Sequence, residues 1–211
     1  MSLNSTTAAA SSTTVSRRTI ARGALWATPV ITVASAAPVL AASPVPGLNG
    51  WVDVGKNCPL VGARTVRIDG NGDGSRYPAG RGYGIYVVDL YQDTAVSDAS
   101  ITFYYPSSMT ITWSANTGTS GWSVPAIDTS EPVTGYTGYK TSYSGGWTYH
   151  AASGAQKAYK IAAGVPNFTG TYTVTRGSDT LCGNNEMTVY ARRTVTVGGT
   201  VYSFLRGPVY L

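Results

Sequence analysis

Short stretches in which apolar and polar residues alternate recur along residues 51–211, with turn residues between them. Residues 64–69 (RTVRID), for example, place Val66 and Ile68 on one face and charged residues on the other. Because successive side chains of a strand point to opposite faces of the sheet, this period of two predicts β-strands.

Turn signals divide the alternating stretches into strand pairs. Residues 100–105 (SITFYY) and 109–113 (MTITW) flank a Pro-Ser-Ser turn, which predicts a hairpin. Residues 186–197 and 200–207 flank a Gly-Gly pair. Two-residue hairpin turns require positive φ, which glycine adopts freely, so this pair predicts a second hairpin.

Three segments are less regular. Residues 83–91 (YGIYVVDLY) form a dense apolar run that predicts a central strand, whereas residues 116–154 are rich in Gly, Ser, Thr and Tyr and give a looser pattern. Residues 153–163 (SGAQKAYKIAA) have the spacing of one or two helical turns. Frequent turns with almost no helix predict an all-β fold, an antiparallel β-sandwich that is immunoglobulin-like or jelly-roll-like.

The first 41 residues have the three parts of a secretory signal. Arg17 and Arg18 precede a stretch without charge that runs from residue 23 to residue 42 and ends in small residues. The best cleavage match uses Val39 and Ala41, so that the mature chain begins at residue 42. Cleavage after residue 42, or retention of the stretch as a membrane anchor, are the alternatives.

We therefore predict three parts: an export signal over residues 1–41, a Pro/Gly linker over residues 42–50 and one β-sandwich domain over residues 51–211. No second stretch could span a membrane, so the mature form is predicted to lack a stable membrane span. No cysteine lies near the cleavage site, so lipid attachment is not predicted.

Residues 16–22 (SRRTIAR) resemble the twin-arginine export motif, Ser/Thr-Arg-Arg-x-Phe/Leu-Leu-Lys. Ala21 stands where the motif has its second large apolar residue, and the matching residues are Ser16, Arg17, Arg18, Ile20 and Arg22. Over residues 16–43 the segment resembles twin-arginine leaders of high-GC Gram-positive bacteria. The resemblance implies that the export machinery carries a folded protein across the cytoplasmic membrane, to the cell surface or the medium.

Charge and cysteine content limit the partners and the compartment. The chain carries 15 basic and 10 acidic residues, but without the three leader arginines the net charge is only +2. A nucleic-acid partner is therefore not predicted. Cys58 and Cys182 are the only cysteines, and an even number in an exported chain predicts a disulfide. A metal pair is the alternative, but it would need more ligands than His150 supplies.

No catalytic residues are predicted. A Ser-His-Asp hydrolase would need His150, the sole histidine, and the sequence has no Gly-x-Ser-x-Gly elbow. The acidic residues show no pattern that sets a glycosidase pair apart from solvated loop residues; the candidates are Asp89, Asp93, Asp98, Asp128 and Glu131. We predict a non-catalytic structural, adhesive or interaction domain, and a secreted hydrolase is the alternative.

Aromatic residues suggest a second alternative, a carbohydrate-binding module. Tyr139 and Tyr143 share one face of a predicted strand, and Trp147 and Tyr149 share one face of the next. If exposed, these rings would form a platform that stacks on sugar rings of a cell-surface glycan. The other interpretation places them in the core, because three Phe and three Met cannot fill it alone.

Residues 69–74 (DGNGDG) match the first half of a calcium-binding loop. Asp69, Asn71 and Asp73 occupy the alternate ligand positions, but the twelfth position is Gly80 instead of glutamate. This count excludes a helix-loop-helix calcium site. A strand-flanked calcium site is one alternative, and a plain turn is favoured because Asn-Gly and Asp-Gly pairs suit positive φ. No other cofactor is predicted.

Overall fold

The computed structural model describes residues 46–50, 52–71, 84–151, 158–175 and 179–211. Within these ranges the chain forms β-strands and one short 3-10 turn, with no α-helix, which confirms the all-β prediction. None of the described residues belongs to a helix long and apolar enough to cross a membrane. The export motif (Ser16, Arg17, Arg18, Ile20, Arg22) and the cleavage residues Val39 and Ala41 lie outside the described residues.

The described strands are β1 (Gly47–Asn49), β2 (Asp53–Asn57), β3 (Thr65–Asp69), β4 (Tyr86–Val88), β5 (Val96–Pro106), β6 (Met109–Ala115), β7 (Ala126–Asp128), β8 (Tyr136–Tyr143), β9 (Trp147–His150), β10 (Tyr159–Ala162), β11 (Asn167–Val174), β12 (Thr188–Val197) and β13 (Thr200–Tyr210), and the 3-10 turn is Asp179–Cys182.

These strands build three antiparallel sheets. The first has the order β1-β4-β10-β9, the second β2-β3-β11-β6 and the third β13-β12-β5-β8-β7. Strand β1 pairs with β4, so the last residues of the predicted linker are part of a sheet. The shared core takes side chains from all three sheets, including Val87, Phe168 and Phe103.

Strand β5 lies at the centre of the five-stranded sheet. Seven successive residues, 99–105, are buried. Ile101, Phe103 and Tyr105 point into the core, and the polar residues between them point to the outer face. There, the Tyr104 hydroxyl donates a hydrogen bond to the carbonyl of Glu131 at 2.7 Å. The strand is buried on both faces because the chain around β7 covers its outer side.

The predicted hairpin between β5 and β6 is wrong. The two strands are correctly placed, but β5 pairs with β12 and β8, whereas β6 pairs with β11 in the second sheet. Both hydrogen-bonding edges of β5 are therefore occupied, and the turn carries the chain from one sheet to the other. The Ser107 N–H donates to the carbonyl of Gly135, and the Thr175 N–H donates to the carbonyl of Ser108.

The helical prediction for residues 153–163 is also wrong where the structure describes it. Tyr159–Ala162 is strand β10, which pairs with β4 on one side and β9 on the other. Pairing with two neighbouring strands satisfies the backbone N–H and C=O groups on both sides of this segment, and this stabilisation exceeds its weak helical preference. The first residues of this segment, 152–157, lie outside the described residues.

The Gly-Gly hairpin is confirmed. Gly198 and Gly199 have φ of 56° and 83°, and they join β12 to β13. Both turn positions lie in the left-handed region, which is the geometry of the two-residue turn that suits strand twist. The run predicted as one strand over residues 83–91 is shorter in the structure, because β4 ends at Val88 and Asp89 follows with φ of 61°.

The predicted disulfide is confirmed. Cys58 follows β2, and Cys182 ends the 3-10 turn before β12; their Cα atoms lie 5.8 Å apart and 124 residues apart in sequence. Lys56 supports the same junction, because its Nζ donates to the carbonyl of Leu181 at 2.8 Å. Burial lowers the pKa of Lys56, and the charge of Glu186 offsets part of this effect.

The long loop gives the disulfide a measurable effect on stability. Cross-linking two residues 124 positions apart removes loop entropy worth about 5 kcal/mol, an upper value. We expect the Cys58→Ser/Cys182→Ser variant to lose about 2–5 kcal/mol of unfolding free energy in guanidinium titrations. Dithiothreitol should lower the wild-type midpoint to that of the variant and leave the variant unchanged. Equal midpoints for oxidised and reduced wild type would contradict this expectation.

Candidate functional site

Strand β13 forms one edge of the five-stranded sheet, and β12 is its hydrogen-bonded neighbour there. It is the most exposed long strand of the described chain: every residue except the half-buried Tyr202 faces solvent. Val201 is 64% exposed, Phe204 50% and Leu205 39%. Val209 and Tyr210 continue the exposed apolar row. Exposed apolar side chains on both faces of one edge strand make it a candidate interaction site.

Over residues 200–205, one hydrogen-bonding side of β13 has no partner strand in the described part of the chain. Val197 pairs with Thr200 across the two-residue turn, so these two residues exchange hydrogen bonds. Because successive residues of a strand alternate, the N–H and C=O groups of Val201, Ser203 and Leu205 point away from β12. No described strand pairs with that side of β13.

The free edge lacks the features by which proteins protect an exposed strand. Proteins protect edges by short strands, charged side chains, proline or bulges. Residues 200–205 contain no charge and no proline; Pro208 and the register shift opposite it come later in the strand. The opposite edge, β7, has only three residues and carries Asp128. We call residues 200–205 of β13 the free edge.

A row of hydroxyl side chains crosses the outer face of the same sheet and ends at the free edge. Ser142, Ser100, Thr194 and Ser203 stand opposite one another on β8, β5, β12 and β13. The Thr194 and Ser203 hydroxyl oxygens lie 3.3 Å apart. Successive side chains of a pleated strand point to opposite faces of the sheet. The hydroxyl residues therefore lie on the outer face, and the apolar residues next to them in sequence point to the core.

A groove with a volume of about 790 Å³ runs beside the hydroxyl row. We call it the outer groove. Its walls combine hydroxyls, two charged groups and two aromatic rings, supplied among others by Ser100, Asp98, Lys140, Ser142, Tyr143, Trp147 and Thr194. This mixture can bind a polar ligand that also has an apolar face.

The four predicted platform residues separate into two pairs. Tyr139 and Tyr143 are 2% and 7% exposed, so both rings lie in the core, as the second interpretation of the sequence had it. Burial raises the pKa of Tyr139, and the hydrogen bond from the Ile111 N–H opposes this rise. Trp147 and Tyr149 are half-buried on β9, and Trp147 lines the outer groove.

Tyr143 joins β8 to β9 and to the chain after β10. Its ring lies 5.0 Å from that of Trp122 and 5.7 Å from that of Trp147, measured between centroids. Its hydroxyl donates to the carbonyl of Gly146 and accepts the N–H of Ala163 at 2.7 Å. This side chain therefore fixes where Trp147 stands at the groove.

The described part of the predicted calcium loop has the hydrogen bonds of a turn. The Asp69 carboxylate accepts the backbone N–H of Asn71 at 2.8 Å, and its other oxygen lies 3.0 Å from Nη1 of Arg67. Both oxygens of Asp69 thus have partners. Asp73 and Gly80 lie outside the described residues, where a calcium site stays a prediction. No cluster of three metal-ligating side chains occurs among the described residues.

Three of the residues considered for catalysis, His150, Glu131 and Asp128, have side-chain contacts in the described chain. His150 stacks on Tyr159 with centroids 4.8 Å apart, and within the described chain its Nε2 has no hydrogen-bond partner. Glu131 pairs with Arg192 at 2.7 Å, and Asp128 lies 3.9 Å from Lys140. Burial alone would raise the pKa of Asp128, but hydrogen bonds from Ser130 and the charge of Lys140 hold it below its ordinary value.

A conservative change at Tyr143 tests its joining role. Tyr143→Phe keeps the ring contacts but removes the hydroxyl that bridges the Gly146 carbonyl and the Ala163 N–H. The Ala163 N–H keeps the Gly146 carbonyl as its acceptor, so the change removes the net contribution of the hydroxyl, about 0.5–1.5 kcal/mol. We expect this loss in urea titrations. Tyr91→Phe, which removes a hydroxyl from an exposed ring, is the matched control and should be neutral. Equal stability of the two variants would contradict the role of the hydroxyl.

Comparisons with known proteins leave the family of this chain open. No protein-family model and no curated protein matches it. One solved structure, of AvmM, described as catalysing macrocyclization in alchivemycin A biosynthesis, aligns with 77% of this chain and 93% of its own. The identity is 10% and the TM-score 0.21, so neither its fold nor its activity is transferred to this chain.

Proposed function

We propose that the chain is an exported, non-catalytic β-sandwich protein that acts at the cell surface or outside the cell as a structural, adhesive or interaction domain. An immunoglobulin-like or jelly-roll-like sandwich is the finer form of the proposal. The packing of all three antiparallel sheets around one core supports it.

The observation that carries the proposal is the free edge of β13. An exposed strand with unpaired backbone groups and apolar side chains is costly to leave in water, and it promotes association. Val201, Phe204 and Leu205 present such a surface over several residues. An interaction function explains why this edge is long and uncharged where the opposite edge is short.

Two features support export. The segment from Ser16 to Arg22 resembles a twin-arginine signal. The disulfide between Cys58 and Cys182 favours an oxidising compartment, because cytosolic thiols are kept reduced. A twin-arginine route carries folded protein, so under this proposal the disulfide forms after export.

The contacts of Glu131 and Asp128 and the burial of Nε2 of His150 favour a non-catalytic role for these three residues. Glu131 and Asp128 interact with cations, and His150 is stacked on a tyrosine ring. A general base needs a free lone pair within reach of substrate and an orienting partner. A secreted hydrolase would have to assemble its site from residues other than Glu131, Asp128 and His150.

Cell fractionation tests the export and the surface role together. In a bacterium with a twin-arginine pathway, we expect the wild type in the surface or medium fraction and Arg17→Lys/Arg18→Lys in the cytoplasm. Phe204→Ser should be exported but should wash from the surface several-fold more readily, because it removes the exposed ring.

Matched variants give the controls for the fractionation. Arg64→Lys/Arg67→Lys makes the same chemical change outside the leader, and Ile127→Ser removes an exposed apolar residue from the opposite edge of the sheet. Both should behave as the wild type. Normal export of the double-lysine leader variant would contradict the twin-arginine route, and equal retention of Phe204→Ser would contradict the role of β13.

The outer groove favours a second candidate, carbohydrate binding. Trp147 stands beside Lys140 and a row of hydroxyls there. Sugar recognition combines an apolar ring face with hydrogen-bonding groups at its edge, and the groove offers both. Under this candidate Trp147 stacks on the sugar, and Ser100, Ser142 and Thr194 bind its hydroxyls.

Polysaccharide pull-down with tryptophan fluorescence tests this candidate. If the groove binds glycans, a cell-wall polysaccharide should retain the protein and shift its emission, and Trp147→Ala should lose at least tenfold in affinity, the effect of about 1.4 kcal/mol. Tyr91→Ala removes an exposed ring outside the groove and should bind normally. No retention on any cell-wall or plant glycan would contradict the candidate.

A further inference from the structure

We propose that the partner of the free edge is a second copy of this chain, and that two β13 strands pair antiparallel about a two-fold axis at Ser203. The inference rests on the proposed interaction function and names its partner. The two five-stranded sheets would join into one continuous sheet of ten strands.

Hydrogen-bond geometry selects the register. In antiparallel self-pairing, each residue faces the residue at the same distance on the other side of the axis. With the axis at Ser203, Val201 faces Leu205 of the second copy, and Ser203 faces Ser203. These are the three residues whose N–H and C=O groups point away from β12. The register therefore satisfies every outward backbone group from residue 201 to residue 205.

The side chains fit the same register. On the outer face, Val201 packs beside Leu205 of the second copy, with the two serine hydroxyls between the apolar pairs. On the core-side face, Tyr202 stands beside Phe204 of the second copy, an aromatic cross-strand pair of the kind that stabilises sheets. Half-exposed Phe204 and Leu205 would lose contact with water.

Charge is compatible with a second copy as the occupant. Residues 200–205 are uncharged, and Arg206, the first residue after the free edge, would face Thr200 of the second copy. Like charges that stand directly opposite each other destabilise a strand pair, and this register avoids such a placement. Pro208 lacks an N–H group and lies just beyond the paired segment, so it would limit how far the pairing extends along β13.

The first experiment measures mass. We expect the exported protein to show twice its monomer mass by light scattering at high concentration. Ser203→Lys should raise the dissociation constant about tenfold or more, because it places two ammonium groups opposite each other. Thr173→Lys makes the same change on an exposed residue of β11 and should dimerise normally. Mixing Ser203→Lys with Ser203→Asp should restore a dimer.

The second experiment reads the register. The two native cysteines are bonded to each other, so an introduced cysteine is the sole free thiol. Opposed residues of a hydrogen-bonded pair have Cα atoms about 5.5 Å apart, within disulfide range. Ser203→Cys should cross-link with itself. Val201→Cys and Leu205→Cys should each stay uncross-linked alone and should cross-link when mixed.

The outcomes separate this inference from the proposed function. A protein that stays monomeric and forms no Ser203→Cys cross-link contradicts self-pairing; if Phe204→Ser still washes from cells, the interaction function stands with another partner. Self-linking of Val201→Cys contradicts the register. Dimerisation through Ser203 in a protein that is not exported supports self-pairing and contradicts the exported role.

Discussion

The pairing of β5 with β12 and β8 is the constraint on which the rest of this structure depends. Strand β5 is buried along residues 99–105 and has both edges occupied. Buried backbone groups must be paired, and on β5 they are paired with β12 and β8. Strand β6 therefore pairs in another sheet, and β12 is the fourth strand of this sheet counted from β7. Strand β13 follows β12 through the Gly-Gly turn, and among the described strands it pairs with β12 alone.

The same constraint explains the aromatic core and the disulfide. Three sheets meet around β5, and the space between them is filled by tyrosine and tryptophan rings such as Tyr105, Tyr139 and Trp122. Tyr143 links the sheet of β8 to β9 and β10 through its hydroxyl and its ring. The disulfide closes the opposite junction, where the chain from β2 approaches the start of β12.

Local patterns in the sequence predicted several strands but not the way in which the sheets share them. Alternation located β3, β5 and β6, and the Gly-Gly pair located the turn to β13. The turn after Pro106 has the composition of a hairpin, yet its partners depend on distant strands that a local pattern does not show. Residues Tyr159–Ala162 likewise form a strand because they pair with β4 on one side and with β9 on the other.

The candidate site was only partly visible for the same reason. The aromatic residues were found, but burial of Tyr139 and Tyr143 depends on how β8 packs. The sequence does contain a signal for the free edge. Residues 201–205 place apolar side chains on both faces of the strand and carry no charge. Strands with that pattern are ordinarily buried on both faces, so its exposure here suggests a surface that a partner covers.

Amide hydrogen exchange along β13 tests the central claim most directly, because it reads each backbone group separately. At low concentration the N–H groups of Val201, Ser203 and Leu205 should exchange fast, and those of Tyr202 and Phe204, bonded to β12, slowly. At high concentration all five should be protected. Fast exchange at Val201, Ser203 and Leu205 at every concentration would contradict pairing of the free edge.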